Sequence, residues 1–142
     1  MIEDCADDAA LIVDGLSRVV PRDRIGVCVD GVAALDFFGC RGDYANRAAD
    51  ELPMFVLLDL GLPLVGGLDV LRAIRAQANS RLLPVTVLSA SDRPEDVRAA
   101  AMLGANSFVR KPAERQRLID TLAQMARYWL ELNIPPPCCG GQ

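Results

Sequence analysis

Hydrophobic residues fall along this chain in two alternating rhythms. Short unbroken apolar runs read as strands buried on both faces, whereas apolar residues three and four apart read as helices with one buried stripe. The clearest run is Met54-Phe55-Val56-Leu57-Leu58, which stops at Asp59 and is followed by Gly61 and Pro63. A second, Val85-Thr86-Val87-Leu88, ends in Ser89-Ala90-Ser91, and a shorter third, Ser107-Phe108-Val109-Arg110, ends in Lys111-Pro112. Residues 24–29 read as a further strand, and Met1-Ile2 run straight into Glu3-Asp4.

Helical patterns lie between these runs. Leu11, Ile12, Leu16, Val19 and Val20 share one face, with Asp7 and Asp8 in a first turn where carboxylates complement the helix dipole. Val32, Leu35, Phe37 and Phe38 predict a short helix ended by Gly39, and a long polar connection follows from Cys40 to Leu52. Leu68, Leu71 and Ile74 predict a helix after Gly66-Gly67. Asp92 is placed to cap the next one, with Pro94 in its first turn and Gly104 at its end. On the last helix, starting near Ala113 or Glu114, Leu118, Leu122, Met125, Trp129 and Leu132 form a continuous seam. Strands alternating with helices predict an α/β fold, a doubly wound parallel sheet covered on both faces. Residues 1–133 read as one domain and residues 134–142, with Pro135, Pro136 and Pro137, as a flexible tail.

Composition excludes several classes. With 142 residues, 51% hydrophobic and 24% charged, the chain can bury a full core. A formal charge of −4 with scattered basic residues argues against a nucleic-acid partner. No apolar run reaches the length of a membrane span and no cleavable signal opens the sequence, so a cytoplasmic location and no membrane partner are expected. Cys5, Cys28, Cys40, Cys138 and Cys139 show no zinc-ligand spacing and read as free thiols. The absence of histidine rules out histidine acid/base chemistry, histidine metal ligands and a phosphohistidine carrier role.

The candidate chemistry lies where the strands stop. Ligands of open parallel sheets bind just beyond the carboxyl ends of the strands. Those ends carry Glu3 and Asp4, then Asp59, Ser89 and Lys111. Singly, each has a plain structural role: a helix-capping acid, a strand stop, a turn hydroxyl, a surface lysine. Together they describe a site. Neighbouring acids repel and call for a cation, and Mg²⁺ is commonly held by one or two carboxylates, waters and a phosphate oxygen. A hydroxyl and an ammonium opposite could take the remaining phosphoryl oxygens, an arrangement suited to placing a phosphoryl group on Asp59.

Glu3-Asp4, Asp59 with Pro63 and Gly67, Ser89-Ala90, and Phe108 with Lys111-Pro112 make the chain resemble the receiver domain of two-component response regulators, from Met1 to about residue 133. The resemblance implies a flavodoxin-like five-stranded parallel sheet of order 2-1-3-4-5, with the first strand here cut short to Met1-Ile2. It further implies that Asp59 accepts a phosphoryl group from a sensor histidine kinase. Asp4, Asp59 and the Gly61 main-chain carbonyl would hold Mg²⁺, with Glu3 acting indirectly. Ser89 and Ala90 would meet the phosphoryl group, Lys111 would pair with it before a cis proline at Pro112, and Phe108 would be the aromatic switch. Pro63, Gly67 and Pro112 would be structural. Gly61 and Ser91 leave the attacking water's path unhindered but supply no strong base to orient it.

A narrower resemblance rests on Asp36-Phe37-Phe38, Arg41-Gly42-Asp43-Tyr44 and Tyr128-Trp129-Leu130-Glu131-Leu132-Asn133, which look like single-domain regulators paired with bacterial phytochrome kinases. It implies a bacteriophytochrome as kinase and output through protein contacts, including a downstream phosphotransfer protein and a homodimer through the C-terminal helix. Two other readings stand beside it. One is a receiver-like interaction module that is not phosphorylated. The other is a phosphatase with Asp59 as nucleophile, although Gly61 stands where such enzymes carry a second acid. Cys138-Cys139, two adjacent thiols in the tail, carry little weight as a redox or metal site.

Overall fold

In a computed structural model describing residues 1–136, three apolar runs form continuous parallel ladders. They are β1 (Val56–Leu58), β2 (Val85–Ser89) and β3 (Ser107–Arg110), ordered β1-β2-β3. Leu58 pairs with Val87 and Ser89 with Arg110. Asp59 therefore follows the last ladder residue of β1, Ser89 closes β2 and Lys111 follows β3. On the other side of β1, Ile2 forms parallel bridges to both Leu58 and Cys28.

Of the five expected strands, three are ladders and two are reduced to one bridged residue each, Ile2 and Cys28. Residues 24–29 were expected as a strand, yet Arg22–Arg24 form a 3₁₀ turn and only Cys28 pairs. A strand is held by its neighbour, and the backbone bonds of this segment run to Met1 and Glu3 on either side of the bridged Ile2. The Met1 ammonium donates to the Gly26 carbonyl at 2.6 Å, and Cys28 N–H donates to the Met1 carbonyl at 2.9 Å. Gly26 adds no side chain to pack, and Val29 is 63% exposed. An apolar recess of about 570 Å³ lies at this edge, between Ile25-Gly26-Val27 and Met54-Phe55.

Five helices cover the sheet: α1 (Ala6–Leu16), α2 (Gly31–Gly39), α3 (Gly67–Ala76), α4 (Pro94–Met102) and α5 (Arg115–Arg127). Side chains of a strand alternate between faces, which divides the core in two. Val56 and Leu58 pack with Ile2, Ala34 and Phe38 and with Val70, Leu71 and Ile74 of α3. Leu57 joins Ile12 and Leu16 of α1, Leu88, and Leu118 and Leu122 of α5 on the other face. At Gly15 the helices α1 and α5 come so close that an added Cβ would lie 2.7 Å from the Leu122 Cβ. The long connection after α2 is tied down by Arg47, whose guanidinium donates to the Phe37 carbonyl at 2.7 Å and lies 4.1 Å from the Phe37 ring centre.

Several local expectations change. Asp92 does not cap α4. It pairs with Arg110 at 3.1 Å, while Arg93 takes the cap position and Ser91 Oγ accepts from Arg93 N–H at 3.3 Å. At the end of α2, Gly39 remains helical and Cys40 takes the left-handed conformation, φ 50°. The Lys111–Pro112 bond is trans, as are all described peptide bonds, the ordinary preference of an X-Pro linkage. The expected seam of the last helix holds inward through Leu118 and Leu122. A π turn at Tyr128–Leu132 then aims the Trp129 indole N–H at Thr86 Oγ1, 3.0 Å away, and leaves Leu132 73% exposed. Cys138 and Cys139 lie outside the described residues.

Gly67 is the backbone contact on which the site most depends. A Cβ there would meet the Asp59 carbonyl at 2.2 Å and the Leu60 Cα at 2.7 Å, so α3 can start this close to the Asp59 loop only without a side chain. Gly67→Ala is expected to cost about 1–3 kcal/mol of stability through overpacking. Urea unfolding checks this, and a wild-type stability would contradict the account.

Candidate functional site

The parallel register brings three chain segments to one edge. Asp59 N–H donates to the Ile2 carbonyl at 3.1 Å, and Lys111 N–H donates to the Ser89 carbonyl at 2.7 Å. These backbone bonds continue the sheet one step past its ladders and fix where the Asp59 and Lys111 side chains leave the chain. Glu3 N–H likewise donates to the Cys28 carbonyl at 3.0 Å. Glu3 follows the bridged Ile2 and is buried at 2% exposure, whereas Asp4 is exposed.

Lys111 stands at the centre. Its Nζ lies 2.7 Å from Glu3 Oε2, 2.9 Å from Asp8 Oδ2 and 3.0 Å from Asp59 Oδ2. Its side chain is only 9% exposed, against 13% for Asp59. An ammonium has three donors, and here each has a carboxylate. Burial opposes the charge on Lys111, but the hydrogen bonds it donates to Glu3, Asp8 and Asp59 outweigh it and hold the ammonium above the ordinary lysine range. Burial also pushes the Glu3 carboxyl above its usual value, offset in part by Lys111 and by the Cys5 N–H, which donates to Glu3 Oε1 at 3.1 Å.

Glu3, Asp4 and Asp59 each offer a carboxylate oxygen within 4.8 Å of the others, a donor set of hard oxygens suited to a divalent cation. The division of labour can be read from the partners. Both oxygens of Glu3 are engaged, one by Cys5 and one by Lys111, so Glu3 suits an indirect role. Asp59 has Oδ2 on Lys111 and Oδ1 accepting from Gly61 N–H at 3.0 Å. Asp4 is the exposed member.

Asp59, Gly61, Gly67, Ser89 and Ala90 line a common open cleft of about 510 Å³. Ser89 is buried at 5%, and its Oγ accepts from Ser91 N–H at 3.2 Å. Phe108 is half-buried on β3, in register with Val87 of β2 and two strands away from the β1 end that carries Asp59. Pro63 follows Asp59 in the turn, where Leu62 is buried and Leu64 has φ 64° with 90% exposure. The sequence had suggested only a dipole role for Asp8, but α1 begins at Ala6 and turns Asp8 back toward Lys111. The available signal was an acid four residues after Asp4, about one helical turn on.

An α/β/α domain with acids at two adjacent strand ends and a lysine at a third defines the receiver class of signalling domain. Residues 5–123 match the profile described as "Response regulator receiver domain", and the chain belongs to that family. It is 30% identical over 136 residues to "Response regulator Rcp1" of Synechocystis sp., covering 96% of this chain and 90% of that protein. It is 35% identical over 136 residues to "Probable methanogenesis regulatory protein FilR2" of Methanothrix harundinacea, covering 96% and 85%. Among solved structures, the phosphorylated cyanobacterial phytochrome response regulator RcpA superposes with a TM-score of 0.87 at 29% identity, covering 95% of this chain and 94% of that one. The Mn²⁺-bound form of Rcp1 superposes at 0.81 with 29% identity and 95% coverage of each chain. No described helix is long and apolar enough to cross a membrane.

Lys111 compensates the buried Glu3 charge, which makes its removal pH-dependent. In Lys111→Ala the Glu3 carboxyl loses its partner, so its folded-state pKa rises further above the unfolded value. The folded state then binds a proton more tightly than the unfolded chain, and stability falls as pH rises through the folded-state pKa. Lys111→Ala is therefore expected to lose about 3 kcal/mol at neutral pH and less in mild acid, with Glu3→Gln/Lys111→Ala recovering much of the loss. Chemical unfolding of the three proteins at both pH values checks this, and a loss independent of pH would contradict it.

Proposed function

We propose that this protein is a single-domain response regulator in which Asp59 accepts a phosphoryl group from a sensor histidine kinase in a Mg²⁺-dependent reaction. The observation that carries the reading is the Lys111 ammonium on Asp59 Oδ2, with the Glu3 and Asp4 carboxylates beside the same acid. Asp59 supplies the attacking oxygen, and Lys111 is placed to neutralise charge on the arriving phosphoryl group. Asp4, Asp59 and the Gly61 carbonyl would hold Mg²⁺, whose contribution when bound is to neutralise charge on the phosphoryl oxygens. Glu3 orients Lys111 from below. Ser89 and Ala90 lie in the cleft that would receive the phosphoryl group, and the Ser89 hydroxyl is a candidate donor to it.

Ser89 and Phe108 also link the site to the surface. Ser89 ends β2, and Phe108 sits on β3 against Val87 of the same strand. A pull on Ser89 toward a phosphoryl group would favour a further inward position of Phe108 and bias the surface around α4 and β3. Output then passes through protein contacts in the cytoplasm. These include feedback on the kinase, a downstream phosphotransfer protein, and a homodimer for which Tyr128, Leu132 and Ile134, exposed at 49%, 73% and 91%, offer apolar surface.

The likeness to RcpA, a cyanobacterial phytochrome response regulator, supports a bacteriophytochrome as the kinase. A phosphatase reading is weaker, because Gly61 lines the cleft where a general acid would be needed.

Acetyl phosphate with Mg²⁺, followed by intact-mass spectrometry, is expected to add one phosphoryl group to the wild type and none to Asp59→Asn. Removing Mg²⁺ with a chelator should abolish the addition. Absence of an adduct at saturating donor would favour the unphosphorylated interaction module, and steady turnover of small phosphoesters would favour the phosphatase. A light-scattering mass of one chain, with and without phosphorylation, would sink the homodimer.

A further inference from the structure

Lys111 has a third acid that the phosphoacceptor reading does not require. Asp8 Oδ2 lies 2.9 Å from Lys111 Nζ, and its side chain is 37% exposed, while Asp7 beside it in the same helical turn is exposed. Both are equally placed to complement the α1 dipole, so that role does not explain why Asp8 alone turns inward. Its position is set from far along α1. Gly15 seats the helix against Leu122 of α5, and Ile12 and Leu16 are buried beneath it. Asp8 thus reaches Lys111 from a helix packed on α5, whereas Glu3 and Asp59 reach it from the sheet edge.

Three acceptors around one ammonium fix its orientation as well as its position. Two of them, Glu3 and Asp8, are held by backbone or helix packing, which leaves the third donor aimed at Asp59. We propose that Asp8 is a positioning residue for phosphorylation: it holds one donor of Lys111 so that another is presented to the phosphoryl group arriving at Asp59. The proposal rests on Asp59 being the phosphoacceptor. In the step itself, written for acetyl phosphate, an Asp59 carboxylate oxygen forms a bond to phosphorus and the bond from phosphorus to the acetate oxygen breaks. The electron pair departs with that oxygen as acetate, and no proton need be taken up; from a kinase phosphohistidine the bond broken is phosphorus–nitrogen and the electron pair departs with the imidazole. Lys111 then shifts its Asp59 donor to a phosphoryl oxygen while the bonds to Glu3 and Asp8 persist.

The test is a double-mutant cycle on phosphorylation by acetyl phosphate with Mg²⁺, read by intact mass over time in wild type, Asp8→Ala, Asp8→Asn, Lys111→Ala and Asp8→Ala/Lys111→Ala. Asp8→Ala is expected to slow the rate at saturating donor about tenfold, the scale of one lost charge-assisted hydrogen bond that is partly solvent-screened. The half-saturating donor concentration should change little, because Asp8 acts through Lys111 and is not placed to contact the donor. Asp8→Asn, which keeps an oxygen acceptor in the same shape, should recover most of the rate, and it guards against a folding defect in the alanine variant. In the Lys111→Ala background the Asp8→Ala change should have no further effect. A wild-type rate in Asp8→Ala, or an equal slowing with and without Lys111, would overturn the proposal while leaving Asp59 as phosphoacceptor. No phosphorylation of the wild type would overturn the underlying reading, and this proposal with it.

Discussion

The structure of the site depends on one ammonium shared among carboxylates. Lys111 is 9% exposed and touches Glu3, Asp8 and Asp59, which come from three parts of the chain. Without it, the buried Glu3 carboxylate would lack a counter-charge, and the acids would repel one another at short range. With it, the acids can be held together while Asp59 keeps an oxygen toward the cleft. In the proposed function the same ammonium that neutralises the cluster would also receive a phosphoryl oxygen, which would couple stability and function through a single side chain.

Everything else brings that lysine and those acids together. The parallel register aligns the ends of β1, β2 and β3, and backbone bonds from Asp59 to Ile2 and from Lys111 to Ser89 extend it past the ladders. Gly67 lets α3 approach the Asp59 loop, and Gly15 lets α1 settle against α5. Each contact is far cheaper to break than the core is to unfold, yet each moves a charged group at the centre. Ile2 has an unusual share of this work. Among the described residues, Ile2 carries the isolated bridges to both Leu58 and Cys28, and it directly precedes Glu3 and Asp4.

Much of this was legible in the residues. Apolar runs marked β1 and β2 because strands buried on both faces leave no room for polar alternation, whereas β3 is half-buried and ends on an exposed Arg110. Asp59, Ser89 and Lys111 were legible as a set because a parallel sheet places strand ends on one edge. Other features were hidden for physical reasons. Residues 24–29 carry strand-forming side chains, but a strand exists only when a neighbour pairs with it, and local sequence does not reveal the neighbour. Asp92 has the chemistry of a cap, yet Arg110, distant in sequence, draws it away. Asp8 read as a dipole acid because its partner lies 103 residues on. The trans bond before Pro112 was likewise beyond a reading by resemblance.

The central claim is that Lys111 passes from Asp59 to the phosphoryl group while its other anchors hold. A crystal structure of the protein with Mg²⁺ and beryllofluoride, which mimics an aspartyl phosphate, tests this directly. The account predicts beryllofluoride on Asp59, the Lys111 ammonium within hydrogen-bond distance of a fluoride, and its contacts to Glu3 and Asp8 retained. Beryllofluoride bound on Asp59 with Lys111 turned away to solvent, or released from both Glu3 and Asp8, would contradict it.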